Sequence, residues 1–352
     1  MAKGFLQKRK NIVSALKTVI SAIDIKDQLL IGADSFIFAD EYVHTYSNRM
    51  SFSYPIKTGV NCTVKATETL KILEKMKSED VTLKQNPDNL EISGDNTTLK
   101  MVLIQEDDGI RKLVNSFNID DLIFHDLPKD FMEGIRLCSY SMSLDPNVIE
   151  INGIAIKEDC AWSTDIYRNS RYKFDESIDF DFTIPASSIT TLLKMVYPPI
   201  SYAVGDGWIH FKCDNGIVFS TNELMKSFPI SNLIKIFNSY DEEFKEYQFP
   251  KDLEECLDVA GILASVLDKD DPVLNVEIYR KGKRLFVKGQ NSNGRVEDSV
   301  EIDGEMFEEG MSFKISPTFL KTILSITRNF SIADESVMIF KTKAFRHLMS
   351  KW

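Results

Sequence analysis

Residues 184–196 read IPASSITTLLKMV, residues 64–76 read VKATETLKILEKM, and residues 315–327 read ISPTFLKTILSIT. Few identities join them, but the shape is shared: an apolar residue, a polar or Pro step, small and polar residues, then a paired apolar "IL" or "LL". The copies start 120 and 131 residues apart. A period of that length is a duplicated domain, because solenoid repeats recur every roughly 20–50 residues. Each copy is followed by an alternating strand, a turn rich in Asp, Asn or Gly, and a second alternating strand. These are VTLKQNPDNLEIS, SYAVGDGWIHFKC and FSIADESVMIFK, each the pattern of a β-hairpin.

A second helical segment precedes each of these copies: 5–23, 130–143 and 252–267, each again followed by strands. The chain therefore reads as three domains of two helix-plus-strands units, an α+β class with six units in all. The boundaries fall near Asn118 and near Tyr240, where NSYDEEFKEYQFP has the composition of a charged connector, giving domains 1–118, 119–240 and 241–352. At 352 residues the chain is long enough for two or three domains.

Composition excludes several classes. No apolar run reaches 18 residues, so no membrane helix is expected. MAKGFLQKRKNIV lacks the apolar core of a secretion signal. Five scattered cysteines without a CxxC spacing point to a reducing compartment and away from disulfides or zinc. There is no P-loop, no GxSxG and no metal-ligand cluster, so neither a cofactor nor an enzymatic activity is expected. Asp179 and Asp181 in SIDFDFTIP share one face if that stretch is a strand, which reads as a solvated face. His44, His125, His210 and His347 stand alone and read as structural.

The formal net charge is -11, which by itself disfavours binding to nucleic acid. The helices sort charge locally. In the first, Ile12, Leu16, Val19, Ile20 and Ile23 share a face opposite Lys10, Ser14, Lys17 and Ser21. In 66–77, Leu70 and Leu73 point inward while Lys71, Glu74 and Lys75 point out. In 186–196, Ile189, Leu192, Leu193 and Val196 are the core face and Ser187, Thr190 and Lys194 the exposed one. In 316–328 the exposed row is Lys321, Ser325 and Arg328. Three of these four faces carry cations and no acids.

Taken together, these features resemble the bacterial-type DNA sliding clamp, the beta subunit family of DNA polymerase III. FDFTIPASSITTLLKM (180–195) looks like the family's "F-x-x-x-I-P-A-K-x-L-x-x-L" segment, and INGIAI (151–156) sits where the family writes "L-N-G". STDIYRNSRY (163–172) lies where the family has "A-T-D-G-H-R-L-A". Thr164, Asp165 and Arg168 match, whereas Ile166, Tyr167 and Asn169 depart from its Gly, His and Leu. FPISNLI (228–234) resembles the family's "F-P" connector, and EEGMSFKISPTFLKTIL (308–324) its third-domain stretch. The departures imply a divergent member, of the kind a bacteriophage encodes.

The resemblance implies a head-to-tail homodimer in which twelve helices line a hole and sheets lie outside. Helix spacing of about 10 Å gives a hole of order 25–30 Å, enough for a hydrated duplex. It implies a polymerase processivity factor in the cytoplasm of a bacterium or a phage-infected host, with double-stranded DNA, a DNA polymerase and an ATP-dependent clamp loader as partners. Sparse cations suit such a ring, which needs only weak, sequence-blind attraction to phosphates. Lys10, Lys17, Lys71, Lys75, Arg136, Lys194, Lys321 and Arg328 are the residues expected to face DNA. Asp252, Glu254, Glu255 and Asp258 run against that expectation in the helix at 252–267: either it turns its acids aside or the lining is less basic there. The resemblance also implies a pocket for a partner's linear peptide, built from Ile151, Thr164, Tyr167, Arg168, Pro229, Ile234, Leu348 and Trp352. Ser350 stands where the family has Met, and a frayed terminus is the plain reading of RHLMSKW. Ring closure would pair the edge strands 97–104 and 295–302. The rival reading is a non-catalytic interaction scaffold that keeps the fold without encircling DNA. A trimeric ring of the two-domain kind is disfavoured by the three repeats.

Overall fold

Four of the six repeated helices start by the same device, a strand that turns into a helix through one extended residue. Lys8, Lys65, Pro185 and Ser316 hold φ between -55° and -69° and ψ between 120° and 147° at these junctions. The residues on either side are strand and helix. Proline fits such a position because its ring presets φ, and Pro317 opens its helix at the first position, where no N–H is needed.

The computed structural model describes residues 4–23, 32–39, 41–104, 121–224, 227–266, 273–302 and 308–352. The expected boundary at Asn118 lies outside them. Seven α-helices occur among the described residues: α1 (Arg9–Val19), α2 (Ala66–Lys75), α3 (Phe131–Cys138), α4 (Ala186–Leu192), α5 (Ile230–Ser239), α6 (Leu253–Gly261) and α7 (Pro317–Leu324). The strand pairs with a described register are antiparallel, and strands 80–85 and 89–93 alternate as a sheet with one buried face does.

The chain divides into two compact units, residues 1–132 with 176–225, and residues 133–175 with 226–352. In the first unit an eight-stranded sheet runs 61–65, 35–39, 42–46, 50–55, 218–222, 208–213, 199–205 and 125–126. Strand 50–55 meets strand 218–222 in register, with Phe52 opposite Phe219 and their rings 4.8 Å apart. A four-stranded sheet runs 5–8, 80–85, 89–93 and 98–102. In the second unit one sheet runs 153–157, 160–164, 168–173, 345–350, 337–341, 329–332 and 246–248. Here strand 168–173 meets strand 345–350, Ser170 opposite His347. The other sheet runs 265–266, 274–281, 284–291 and 294–301, with 312–315 paired to 274–281. Strands 98–102 and 294–301 end their sheets, and neither outer edge has a partner among the described residues.

Several expectations are corrected. Phe5–Lys8 is a strand on Asp80–Gln85, so the first helix starts only at Arg9. Val196 lies past the end of α4 and is 81% exposed, not on the core face. The helix at 252–267 stops at Gly261, and residue 267 lies outside the described residues. Asp179 and Asp181 precede strand Phe182–Pro185, and Asp179 Oδ2 sits 2.7 Å from His125 Nδ1. All five cysteine side chains are buried, and none is joined in a disulfide.

The other three histidines are buried, each directly opposite a serine on the neighbouring strand. His44 Nδ1 lies 2.7 Å from Ser53 Oγ, His210 Nδ1 2.8 Å from Ser220 Oγ, and His347 Nδ1 2.8 Å from Ser170 Oγ. Burial pushes the imidazoles down, to about 4 for His44 and His210 and about 3 for His347. Values below the ordinary 6.5 mean that the unfolded chain takes up these protons first as pH falls. Their stabilisation is complete above about pH 6.5 and is lost progressively toward pH 4. Urea midpoints will therefore fall over that window, and His44→Asn will make the fall shallower; an equal slope in the variant would refute the assignment.

Candidate nucleic-acid interface and partner pocket

In the first unit α1 packs beside α2, because Ile12, Leu16 and Val19 of one and Leu70 and Leu73 of the other are buried on facing sides. This leaves Lys10, Lys17, Lys71 and Lys75 exposed. Lys17 reaches across to Glu74 at 2.8 Å. The turn after α4 brings Lys194 toward Lys17 across a groove of about 410 Å³ lined also by Ser14, Thr18, Ser21, Thr190 and Thr191. Thr18, Ser21 and Thr190 donate their hydroxyl protons to the carbonyls of Ser14, Thr18 and Ala186. The groove therefore presents two ammonium donors beside three hydroxyls whose own protons are spent, with Phe52, Met195 and Val196 as its apolar lining.

The cations of the second unit are placed differently. Arg136 forks onto Glu133 at 2.6 and 2.9 Å and touches the Tyr140 hydroxyl. Lys321 pairs with Asp258. Arg328 lies beyond the end of α7, not on its exposed row, and binds Glu254 and the Pro250 carbonyl. The acids of α6 thus point across to the cations of and after α7. Exposed pairs of this kind stabilise the chain little, but they cancel charge where the sequence reading expected it free.

The pocket residues all fall within the second unit and form two neighbouring groups. Ile151 and Leu348 are buried in one apolar cluster with Trp162, Phe228, Leu233 and Phe237, and Ile234 packs against it half-buried. Trp162 and Phe237 meet edge to face at 5.6 Å. Pro229 precedes α5, and its carbonyl accepts from Asn232 and Leu233. The second group surrounds the turn at 164–168. Asp165 Oδ1 accepts from the backbone N–H of Tyr167 and Arg168, and its Oδ2 accepts from Arg168 Nε at 3.0 Å and Nη2 at 2.8 Å. Buried Thr164 accepts from Ile166 N–H. The Arg168 guanidinium lies 3.7 Å over the Phe319 ring, and Tyr167 sits 6.5 Å from Phe319 and 6.4 Å from Trp352.

RHLMSKW is no frayed terminus. Residues 345–350 are a strand, Ser350 N–H donates to the Tyr167 carbonyl, and Trp352 pairs with Lys314.

No family model matches the sequence, and no curated protein matches it significantly. Solved structures do. The chain is similar to the Helicobacter pylori beta clamp bound to a DNA ligase peptide, with 15% identity, a TM-score of 0.80, and coverage of 99% of this chain and 100% of that one. The DNA polymerase III beta subunit of Thermotoga maritima aligns with 13% identity, a TM-score of 0.76 and 99% of each chain. The DNA polymerase beta subunit of Streptococcus pyogenes aligns with 14% identity, a TM-score of 0.80, and coverage of 99% and 100%. This chain has the DNA sliding-clamp fold.

Within the clamp fold, α5 is the element the sequence reading missed. FPISNLI reads as a connector by resemblance, yet Ile230, Leu233, Ile234 and Phe237 recur at helical spacing and bring Phe237 against Trp162. Phe319 was missed as well, because nothing local in ISPTFLKTIL marks it as the platform for Arg168. Phe237 is fully buried, so Phe237→Ala will cost about 3–5 kcal/mol, read as a lower urea midpoint. A loss below about 1 kcal/mol would mean that α5 does not seal the cluster.

Proposed function

We propose that the chain is a divergent DNA sliding clamp and polymerase processivity factor, acting in the cytoplasm of a bacterium or a phage-infected host. In this reading three tandem clamp domains, 1–118, 119–240 and 241–352, close as a head-to-tail homodimer around double-stranded DNA. An ATP-dependent loader opens the ring, and the polymerase docks through a linear peptide.

One observation supports this most: the sheets are continued twice by the same kind of antiparallel junction. Strand 50–55 joins 218–222, and strand 168–173 joins 345–350, while in the two sheets without such a junction 98–102 and 294–301 are end strands. Open edges invite pairing. Pairing the first edge with the second edge of another copy is a heterologous contact, and it closes a ring if the rotation permits. The groove bearing Lys17 and Lys194 suits passing phosphates. The Helicobacter pylori clamp is seen with a bound DNA ligase peptide, which supports peptide docking by this chain, and the apolar cluster around Phe237 is the pocket assigned to it in this reading.

The scaffold reading draws on the ion pairs Arg136–Glu133, Lys321–Asp258 and Arg328–Glu254, which neutralise every expected DNA-facing cation of the second unit. Light scattering separates the two. A clamp gives a concentration-stable particle of twice the 40.2 kDa chain mass that stays on circular DNA and slides off linear DNA. A monomer with no retention favours the scaffold.

Two further outcomes follow from the charges. Lys17→Ala with Lys194→Ala will lower the slope of log affinity for duplex against log salt by about 2, each lost phosphate contact being worth about 0.9. Glu254→Gln with Asp258→Asn will free Arg328 and Lys321 and strengthen duplex association at low salt. An unchanged affinity would show that these cations do not face DNA.

A further inference from the structure

Four non-glycine residues among those described adopt left-handed backbone: Glu158, Asp159, Asp206 and Ile166. The first three sit in two-residue hairpin turns, 158–159 and 206–207, where such dihedrals are ordinary and polar residues tolerate them. Ile166 is different. It is β-branched, its φ is +80°, and its side chain is 71% exposed, so no packing inside the chain compensates a conformation that isoleucine resists. The turn holds it there through the Thr164 and Asp165 hydrogen bonds. Strain of this kind persists where the surroundings over-determine it, and it gathers at ligand clamps.

Apolar residues flank the turn, and the acid beside them, Asp145, is turned onto Asn147, whose backbone N–H and amide both donate to it. Ser143 N–H donates to the Thr164 carbonyl at 3.2 Å, which brings Leu144, 72% exposed, alongside the turn. On its other side Tyr167 leads to Trp352, 39% exposed. The one carboxylate in the turn, Asp165, is spent on two backbone N–H groups and the Arg168 fork, so the tip offers no free charge to a partner.

We propose that Ile166 is a specificity residue, resting on the partner pocket proposed above: its side chain seats against an apolar residue of a short extended peptide from a partner protein. Leu144 flanks that contact, and the strained backbone keeps the isoleucine projected outward. Because no unpaired charge takes part, the contact is insensitive to salt, unlike duplex binding.

The test uses the full chain. A random dodecapeptide library is selected on it, the strongest binder is labelled with fluorescein, and affinity is read by anisotropy at low and high salt. Ile166→Gly and Ile166→Asn will raise the thermal midpoint by about 2–4 °C, since both residues accept left-handed backbone. Both will weaken the peptide roughly tenfold or more, and Ile166→Leu will keep its affinity. Ile234→Glu, at the rim of the apolar cluster, abolishes binding if the pocket is the site. A peptide that binds Ile234→Glu as tightly as the unaltered chain overturns the pocket itself, and the inference with it. A peptide lost on Ile234→Glu but held equally by Ile166→Asn overturns the role of Ile166 alone, as does an unchanged thermal midpoint in the glycine variant.

Discussion

A strand edge must be paired, covered or blunted, and most of this chain is arranged around that constraint. Strands 50–55 and 168–173 would each be edges within their own repeat. Instead each accepts a strand from the next copy, 218–222 and 345–350. The helices then pack on these sheets through their apolar rows, as α1 does on strands 42–46 and 50–55. The one-residue strand-to-helix switches at Lys8, Lys65, Pro185 and Ser316 then follow, since a longer connection would carry the helix away from the sheet that buries it.

The repeat architecture was legible because it is written in period and spacing, which survive when identities do not. Helix faces could be placed from helical spacing and hairpins from alternation, whereas the two edge strands were named only through the family resemblance. Helix ends could not: Val196 and Arg328 continue the apolar and basic rows in sequence, but the backbone has already left the helix at Leu192 and Leu324. The apolar cluster was half legible. Ile151, Ile234 and Leu348 meet in it, while Trp162, Phe237 and Phe319 come from elements far apart in sequence. α5 was hidden because a Pro before it and a charged run after it look like a connector.

Electrostatics divide the molecule more finely than its net charge suggests. In the first unit only Lys17 of the expected cations has a carboxylate partner within 4 Å among the described residues, and the other lysines face solvent. In the second, each expected cation has been met by a carboxylate from its own helix or the adjacent one. A protein whose two halves differ in this way concentrates attraction for polyanions on one of them, and substitutions of acids in the other shift that balance.

The burial of all five thiols has a practical side. Removal from water pushes Cys160 and Cys256 up to about 11 and Cys213 up to about 12, and Cys138 is raised as well. Thiolate is the reactive form, so these groups are poor nucleophiles at neutral pH. A single cysteine introduced on an exposed strand such as 98–102 or 294–301 would react almost alone, which equips the native chain for site-specific spin labels or cross-links without first clearing its own sulfur.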